Sequence, residues 1–413
     1  MTESVNTELR IAVIGAGPAG VYSSDIFLRQ LKKLGEELGL GTEARIDLFE
    51  KLPVPFGLVR YGVAPDHPSI KFIASALEKT LDNPNIHLYC DVEFGKDVTL
   101  DDLLARYDAV LFATGAVKDK PLNLPGADLE GVYGAAKFVE WYDGYPTGAR
   151  EWPLTAENVA VIGGGNVAMD VTRSSIRLGA GKVTCVYRRR LEDMTALPDE
   201  VAGATAEGAE MMTLAAPVRI EADEDGVARA LWVQPQIIGD VDSSGRPKPN
   251  KAALDQVRIP ADIIVVAIGQ GIEIQGFDQA GVPITRGGRL VAALSGQVND
   301  MDNIFAGGDC VTGPATAIRA IAAGKVAAAN IDEHLGFHHE IRVDVDIPAP
   351  RLNNRPPHGR INTTERQACE RKCDFEDIEC GLTEEGAVTE ASRCLRCDHF
   401  GYGIFRGGRD IKW

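Results

Sequence analysis

The chain has 413 residues, of which 45% are hydrophobic and 25% charged, and it carries a formal net charge of −17. Those values suit a soluble globular protein of two or three domains with a sizeable core, and the acidic excess argues against a nucleic-acid binder or docking on anionic membranes. No run of about 18 apolar residues suggests a membrane span, and the polar opening MTESVNTELR lacks the zones of a secretory signal, so a cytoplasmic location is expected.

The first expected element is a strand over residues 11–14, followed at once by Gly15-Ala16-Gly17-Pro18-Ala19-Gly20 and a helix. In such a turn Gly15 permits the sharp bend, Gly17 lets backbone approach a pyrophosphate, and Gly20 lets the helix pack close to the strand. The helix N-terminus then offers free N–H groups to phosphate. A second strand, ARIDLFEK, ends at Glu50, an acid placed to accept from a ribose hydroxyl. Its distance from the turn exceeds the usual ~20 residues because LKKLGEELGLGTEA lengthens the connection.

The next apolar strand, YDAVLFATGA, stops abruptly at Thr114-Gly115. A second strand–turn–helix follows in ENVAVIGGGNVAMDVTRSSIRL, where Gly163, Gly165 and Ala168 form a GxGxxA turn and a helix is predicted from Asn166 to Leu178. The strand after it, KVTCVYRRR, ends in arginines rather than an acid. An acid there favours a free 2′-hydroxyl, whereas arginine accommodates a 2′-phosphate, so NADPH is read over NADH. Arg188 and Arg189 are the predicted phosphate ligands, and Arg190 is read as a solvated surface charge. ADIIVVAIGQG is another apolar strand, stopping at Ile268-Gly269; both stops are placed to begin crossovers between domains. Finally NIFAGGDCVTGPATAIRAIAAGKVAAANI reads as a strand meeting Gly307-Gly308-Asp309, then a small-residue helix from about Ala315 to Ile331. Two dinucleotide sites in one chain imply a bound flavin and a visiting nicotinamide that exchange electrons.

The order GAGPAG, ATG, GGGNVAMD, YRRR, AIG and AGGD resembles the two-domain flavoprotein superfamily that includes glutathione-reductase-like enzymes. Within it, PVPFGLVRYGVAPDHPSIK (Pro53 to Lys71) is similar to adrenodoxin reductase and bacterial ferredoxin–NADP reductases, while YRRRLEDMTALPDEV and the AGGD helix look more like the small subunit of NADPH-dependent glutamate synthase. The resemblance implies an α/β fold of two Rossmann-like, three-layer ββα domains: residues 1–118 and 271–340 for FAD, 119–270 for NADPH, and 341–413 as linker and cysteine-rich extension. It implies FAD on Gly15, Gly17, Pro18, Ala19, Gly20, Glu50, Lys51, Gly57, Leu58, Thr114, Gly115, Gly308, Asp309, Ala315 and Thr316. It places NADPH on Gly163, Gly164, Gly165, Asn166, Val167, Ala168, Arg188, Arg189 and Gly269. His67 has two readings, helping to bind or orient the ring and acceptor, or fixing a loop; no catalytic residue is otherwise assigned, because hydride transfer needs none beyond tuning of the flavin. The implied chemistry is hydride transfer to FAD and release of electrons to an iron–sulfur partner. No Cys-x4-Cys pair occurs before residue 90, so a disulfide-reductase mode is not supported.

After about Phe337 the chain turns proline-rich and polar, as in an extended linker. A helix is predicted from Thr383, as N-cap, to about Cys394. Of eight cysteines, Cys90, Cys185 and Cys310 are scattered and read as small buried thiols, whereas Cys369, Cys373, Cys380, Cys394 and Cys397 crowd the tail. In a reducing compartment the tail set reads as metal ligands rather than disulfides. Cys373, Cys380, Cys394 and Cys397, with Cys369 as a substitute for Cys373, suit a [4Fe–4S] or [2Fe–2S] cluster; tetrahedral zinc, plain thiols, or ligands shared with another subunit remain alternatives. The segment looks like part of the glutamate-synthase small subunit's iron–sulfur domain moved to the other end. The resulting expectation is an FAD-dependent NADPH:acceptor oxidoreductase serving a ferredoxin-like protein or a larger partner subunit. Its rivals are an electron-input subunit with little free activity and a non-catalytic dinucleotide-sensing scaffold.

Overall fold

The computed structural model describes residues 9–38, 44–144, 156–241, 245–338 and 358–394. Its first sheet is wholly parallel and runs in the order Ile304–Ala306, Ala109–Phe112, Leu9–Ile14, Ala44–Phe49, Ile86–Tyr89. Alternate residues of the central strand serve opposite faces, as the two-residue period of a strand requires. Ile11 and Val13 pack on one side with Val21, Phe27, Leu28 and Leu31 of helix Pro18–Leu38 and with Ala327, Ala328 and Ile331 of helix Ala317–His334. Ala12 and Ile14 pack on the other with Val110, Phe112, Leu103, Phe277, Val282 and Leu290. Such two-sided burial explains why these strands read as continuous apolar runs. The two long helices touch closely because Gly324 has no side chain: a Cβ there would lie 2.5 Å from the Ala19 carbonyl oxygen.

The second sheet, also parallel, runs Val132–Gly134, Ile263–Ala267, Asn158–Gly163, Lys182–Val186, Glu210–Met212. Helices Ala135–Tyr142, Asn166–Arg177 and Pro198–Glu207 cover one face. On the other, Ala160, Ile162, Val186, Ile264 and Val266 meet Ala215, Ile220, Leu231, Val233 and Ile259 of an antiparallel sheet. That sheet is formed by Ala215–Ala222, Ala228–Val241, Pro247–Lys251 and Val257–Pro260. The fold is therefore α/β with two Rossmann-like units, and this unit has its ββα layers complete. In the first unit the outer layer is thinner, made of helices Leu100–Leu104 and Gln275–Gln279 and of isolated bridges such as Ile284 to Leu290 and Ala292 to Val298.

Two crossovers join the units side by side. Lys118–Asp119 pairs antiparallel with Gln270–Gly271, Gln270 opposite Asp119. Both lie just beyond the strand stops at Thr114-Gly115 and Ile268-Gly269. Helix Ala317–His334 starts two residues after the predicted Ala315 and runs on to His334, and helix Asn166–Arg177 stops one residue before the predicted Leu178, which is its C-cap. In the C-terminal segment a bridge between Glu365 and Glu379 encloses the short helix Ala368–Arg371. Thr383 is an N-cap, its Oγ1 accepting from the Gly386 N–H at 3.1 Å, and the helix Glu384–Ser392 ends two residues before Cys394.

Candidate functional site

The first cradle is built by backbone proximity. Gly15 has φ +108°, and a Cβ on it would overlap the Ala113 carbonyl, while one on Gly20 would overlap the Gly15 carbonyl oxygen. Gly17 differs: its missing Cβ points at open space, with nothing within 4 Å, at the start of helix Pro18–Leu38. The Phe56 N–H donates to the Ala16 carbonyl at 2.8 Å, which brings Gly57 and Leu58 over the turn; a Cβ on Gly57 would sit 3.7 Å from the Gly17 Cα. Glu50 is buried, and its two oxygens accept from the N–H groups of Ala16 at 2.8 Å and Leu52 at 2.9 Å. Burial raises its pKa, opposed by those amides. The carboxyl thus fastens the turn to the second strand, a duty that the sequence did not suggest. Lys51 extends away to Glu93 and Glu273, so its ammonium bridges to the far side of the second crossover.

Residues distant in sequence close the cradle. Gly15 backs onto Thr114, and Gly308, with φ +82°, lies against Ala19. Thr114 Oγ1 and Asp309 Oδ1 are buried and have no hydrogen-bond partner among the described residues. Burial raises the Asp309 pKa, with the Ala315 N–H opposing it, and Thr316 is the N-cap of helix Ala317–His334. Gly115 faces open space. An unfilled floor at Gly17, a helix N-terminus above it, and two unspent buried polar atoms fit a phosphate-bearing dinucleotide.

The second cradle repeats the design with different packing. A Cβ on Gly163 would overlap the Ala267 carbonyl, and one on Gly164 would lie 2.5 Å from the Tyr187 ring. Gly165 is the N-cap of helix Asn166–Arg177 and faces only Thr195, 3.5 Å from its would-be Cβ. Asn166 Oδ1 accepts from the Leu197 N–H at 2.9 Å, which pins the loop after the arginines over the turn. Val167 is exposed at the helix start and Ala168 is buried. Of the arginines, Arg188 is exposed and Arg189 is buried. Arg190 is not a free solvated charge, since its guanidinium forks onto Asp193 with two bonds of 2.9 Å. Gly269, with φ +106°, accepts from the Lys120 N–H at 3.1 Å and belongs to the crossover.

His67 lies between the units. Its Nε2 is 3.5 Å from Asp170 Oδ1, on the helix that opens the second cradle, and 3.9 Å from Asp66 Oδ1. Its pKa is raised, by Asp170 foremost and by Asp66, against burial. Ligand atoms of His67, Asp170 and Glu200 approach within 4.8 Å. Arg173 already pairs with Glu200 at 2.6 Å, and His67 Nε2 faces Asp170 at 3.5 Å, so these groups are engaged with partners inside the junction. A second inter-unit pair joins Lys71 to Asp143 at 2.8 Å. Sequence reasoning missed this junction, since its acids and bases lie on separate segments with no shared motif.

Cys185 and Cys310 are buried, which pushes their thiols up to about 12 and about 11. Cys90 is only partly buried, contrary to expectation. Cys369, Cys373, Cys380 and Cys394 are exposed, and Cys397 lies outside the described residues. No three of the described tail thiols come within 4.8 Å of one another. Four thiolates at about 2.3 Å from one zinc sit closer than that, so the described thiols do not form a closed zinc set as folded. A cluster spreads its thiolates over several irons and does not need such closeness.

Residues 9–324 match the family model described as pyridine nucleotide-disulphide oxidoreductase. The chain belongs to that family. It is 31% identical over 423 residues to the NADP(+)-dependent formate dehydrogenase subunit beta of Moorella thermoacetica, a match covering 98% of this chain and 57% of that protein. It is 31% identical over 344 residues to the glutamate synthase [NADPH] small chain of Halomonas elongata, covering 81% and 70%. Among solved structures, Mycobacterium tuberculosis FprA in complex with NADPH superposes with a TM-score of 0.69 at 25% identity, covering 80% of this chain and 85% of that one. The chain spans about half the length of several curated relatives it matches. Among the described residues no helix is long and apolar enough to cross a membrane.

Proposed function

We propose that the chain is a cytoplasmic FAD-dependent NADPH:acceptor oxidoreductase, with residues 1–118 and 271–340 as the FAD domain and 119–270 as the NADPH domain. The observation that carries this is the pair of glycine cradles, each at the carboxyl end of a parallel sheet, whose units meet at His67 and Asp170. Bound in the first cradle, FAD would accept a hydride from NADPH and pass electrons singly to an acceptor. Gly15, Gly17 and Gly20 shape the floor for its pyrophosphate; Pro18, Ala19, Gly57 and Leu58 form the walls. Thr114, Gly115, Gly308 and Asp309 supply polar contacts, and Ala315 and Thr316 open the helix facing the ring. Glu50 orients the turn and remains within reach of a ribose hydroxyl. Gly163 to Ala168 and Gly269 would hold NADPH, with Arg188 and Arg189 on its 2′-phosphate. Asp170 is placed to favour the charged form of His67 and to orient it between the two cradles.

The acceptor is read as a ferredoxin-like protein or a larger subunit. The exposed tail thiols favour an iron–sulfur cluster on Cys373, Cys380, Cys394 and Cys397, with Cys369 in reserve. Relatives named as subunits, including the formate dehydrogenase subunit beta, favour a second form of the reading, an electron-input subunit within a complex. Anaerobic titration of yellow purified protein with NADPH tests the proposal: the visible flavin absorption should bleach. A colourless protein, or one that does not bleach, leaves the scaffold reading. Iron and acid-labile sulfide should be present in the wild type and fall in Cys394→Ala; no iron in the wild type, or unchanged iron in the variant, removes the cluster.

A further inference from the structure

Beneath the junction lies a buried charge network that ties the cysteine-bearing tail to both units. The Glu207 carboxylate sits among three guanidinia. Arg173 binds it with Nε at 3.1 Å and Nη2 at 2.7 Å, Arg177 Nη1 is 3.1 Å away and Arg371 Nε 2.9 Å away. Arg177 Nη1 also lies 3.2 Å from Asp66 Oδ2, in the first unit, next to His67. The side chains of Arg177, Glu207 and Asp66 are 0%, 0% and 2% exposed, and that of Arg371 is 5% exposed. The tail grips Arg177 a second way: its Nε donates to the carbonyls of Arg371 at 3.1 Å and Asp374 at 2.9 Å, and its guanidinium lies over the Phe375 ring.

The tail brings Arg371 into this network together with Glu365, which also pairs with it, so docking changes the partners of each group rather than the net charge. Asp66, Glu200 and Glu207 face Arg173, Arg177 and Arg371. Without the tail, Glu207 loses one of its three guanidinia, and Arg177 loses two carbonyl acceptors and its contact with the Phe375 ring. Removing one member of a buried ion network leaves a charge uncompensated unless the rest rearrange. The cheapest rearrangement frees Arg177 from Asp66, since Glu207 keeps its bidentate bond to Arg173.

We propose that Arg371 is a positioning residue: by docking on Glu207 it holds Arg177 against Asp66, so that the C-terminal segment sets the loop carrying His67. A change in the tail, such as partner docking or ligand binding at its thiols, is thereby transmitted to the meeting place of the two cradles. The value of that loop to catalysis rests on the function proposed above, whereas backbone exchange in flavin-free protein does not.

Hydrogen–deuterium exchange on flavin-free and flavin-loaded full-length protein provides the test. The reporters are the amides of His67, Ile70, Lys71 and Phe72, bonded within the loop and its helix, and those of Glu370, Arg371 and Cys373 in the tail. Arg371→Ala should speed exchange at the loop amides by roughly five- to a hundredfold, leave strand Leu9–Ile14 protected, and be largely reversed in Arg371→Lys. Coupling is reciprocal, so Asp66→Asn should speed the tail amides by a similar factor, and the double variant should add little. A response confined to the tail in Arg371→Ala overturns the proposal. If that variant instead loosens every strand, Asp66→Asn decides: a silent tail refutes the coupling, and a responsive one upholds it. Flavin content and NADPH bleaching of the wild type, read separately, report on the function alone.

Discussion

Two glycines of the first cradle, Gly17 and Gly20, should respond in opposite ways to the same methyl group. In Gly20→Ala the new Cβ collides with the Gly15 backbone oxygen and lies 3.1 Å from Val13 Cγ1, neither of which is a flexible side-chain end. Overpacking of that kind costs about 1–3 kcal/mol or more, which lowers the melting point of a protein this size by several degrees, roughly 2–4 °C per kcal/mol. In Gly17→Ala the Cβ meets nothing within 4 Å, so stability should change by no more than about 1 kcal/mol. The methyl nonetheless occupies the floor on which a pyrophosphate would rest. Losing one charge-assisted hydrogen bond there, about 1.5–3 kcal/mol, weakens FAD binding roughly 10- to 150-fold. Melting curves on flavin-free protein, where no ligand contributes to the midpoint, and titration of apoprotein with FAD separate the two effects. Wild-type FAD affinity in Gly17→Ala would falsify the cradle assignment, and so would a flavin-free melting point as low as that of Gly20→Ala.

The exposed Arg188 allows a clean cofactor test: Arg188→Ala should raise KM for NADPH roughly 10- to 150-fold, leave NADH kinetics and the melting point unchanged, and equal effects on both cofactors would end the 2′-phosphate assignment. Arg189→Ala, at a buried position, should add a loss of stability to any change in KM. Burial pushes the Asp143 carboxyl up to about 6 from an ordinary 3.8, with Lys71 opposing. The folded protein therefore holds this proton more tightly than the unfolded chain, and the associated stability is full below pH 3.8 and lost as pH rises through about 6. The gap corresponds to about 3 kcal/mol, so Asp143→Asn should flatten denaturation free energy across that window; an unchanged slope by urea titration contradicts it.

Much of this architecture was legible because parallel strands buried on both faces leave unbroken apolar runs. Residues 11–14, 109–112, 159–162 and 263–266 could each be seen, and glycines at their ends marked the two cradles. Helix ends shifted by a residue or two, as at Thr383, where the cap was visible but the stop before Cys394 was not. The antiparallel layer of the second unit was less legible, since Ala228–Val241 alternates between partners in two directions and carries a proline. Glu50 was singled out for its type and place, yet its bonds to the Ala16 and Leu52 amides depend on how the turn folds back. Arg190 looked solvated because Asp193 reaches it only through the short helix Leu191–Asp193. Asp66, Arg177, Glu207 and Arg371 left no local signal: buried charges satisfied across segments resemble surface charges until the segments are brought together.

The outer strand Ile304–Ala306 completes a sheet begun almost three hundred residues earlier. During synthesis the ribosome therefore releases every strand of the second unit, through Ile263–Ala267, while the edge of Ala109–Phe112 still waits for its neighbour. An unpaired strand edge invites pairing with other chains, and domains tend to fold as they emerge. The inserted unit would then mature first and serve as a platform, and a nascent protein stalled before residue 304 would carry a finished second unit beside an open, aggregation-prone first one.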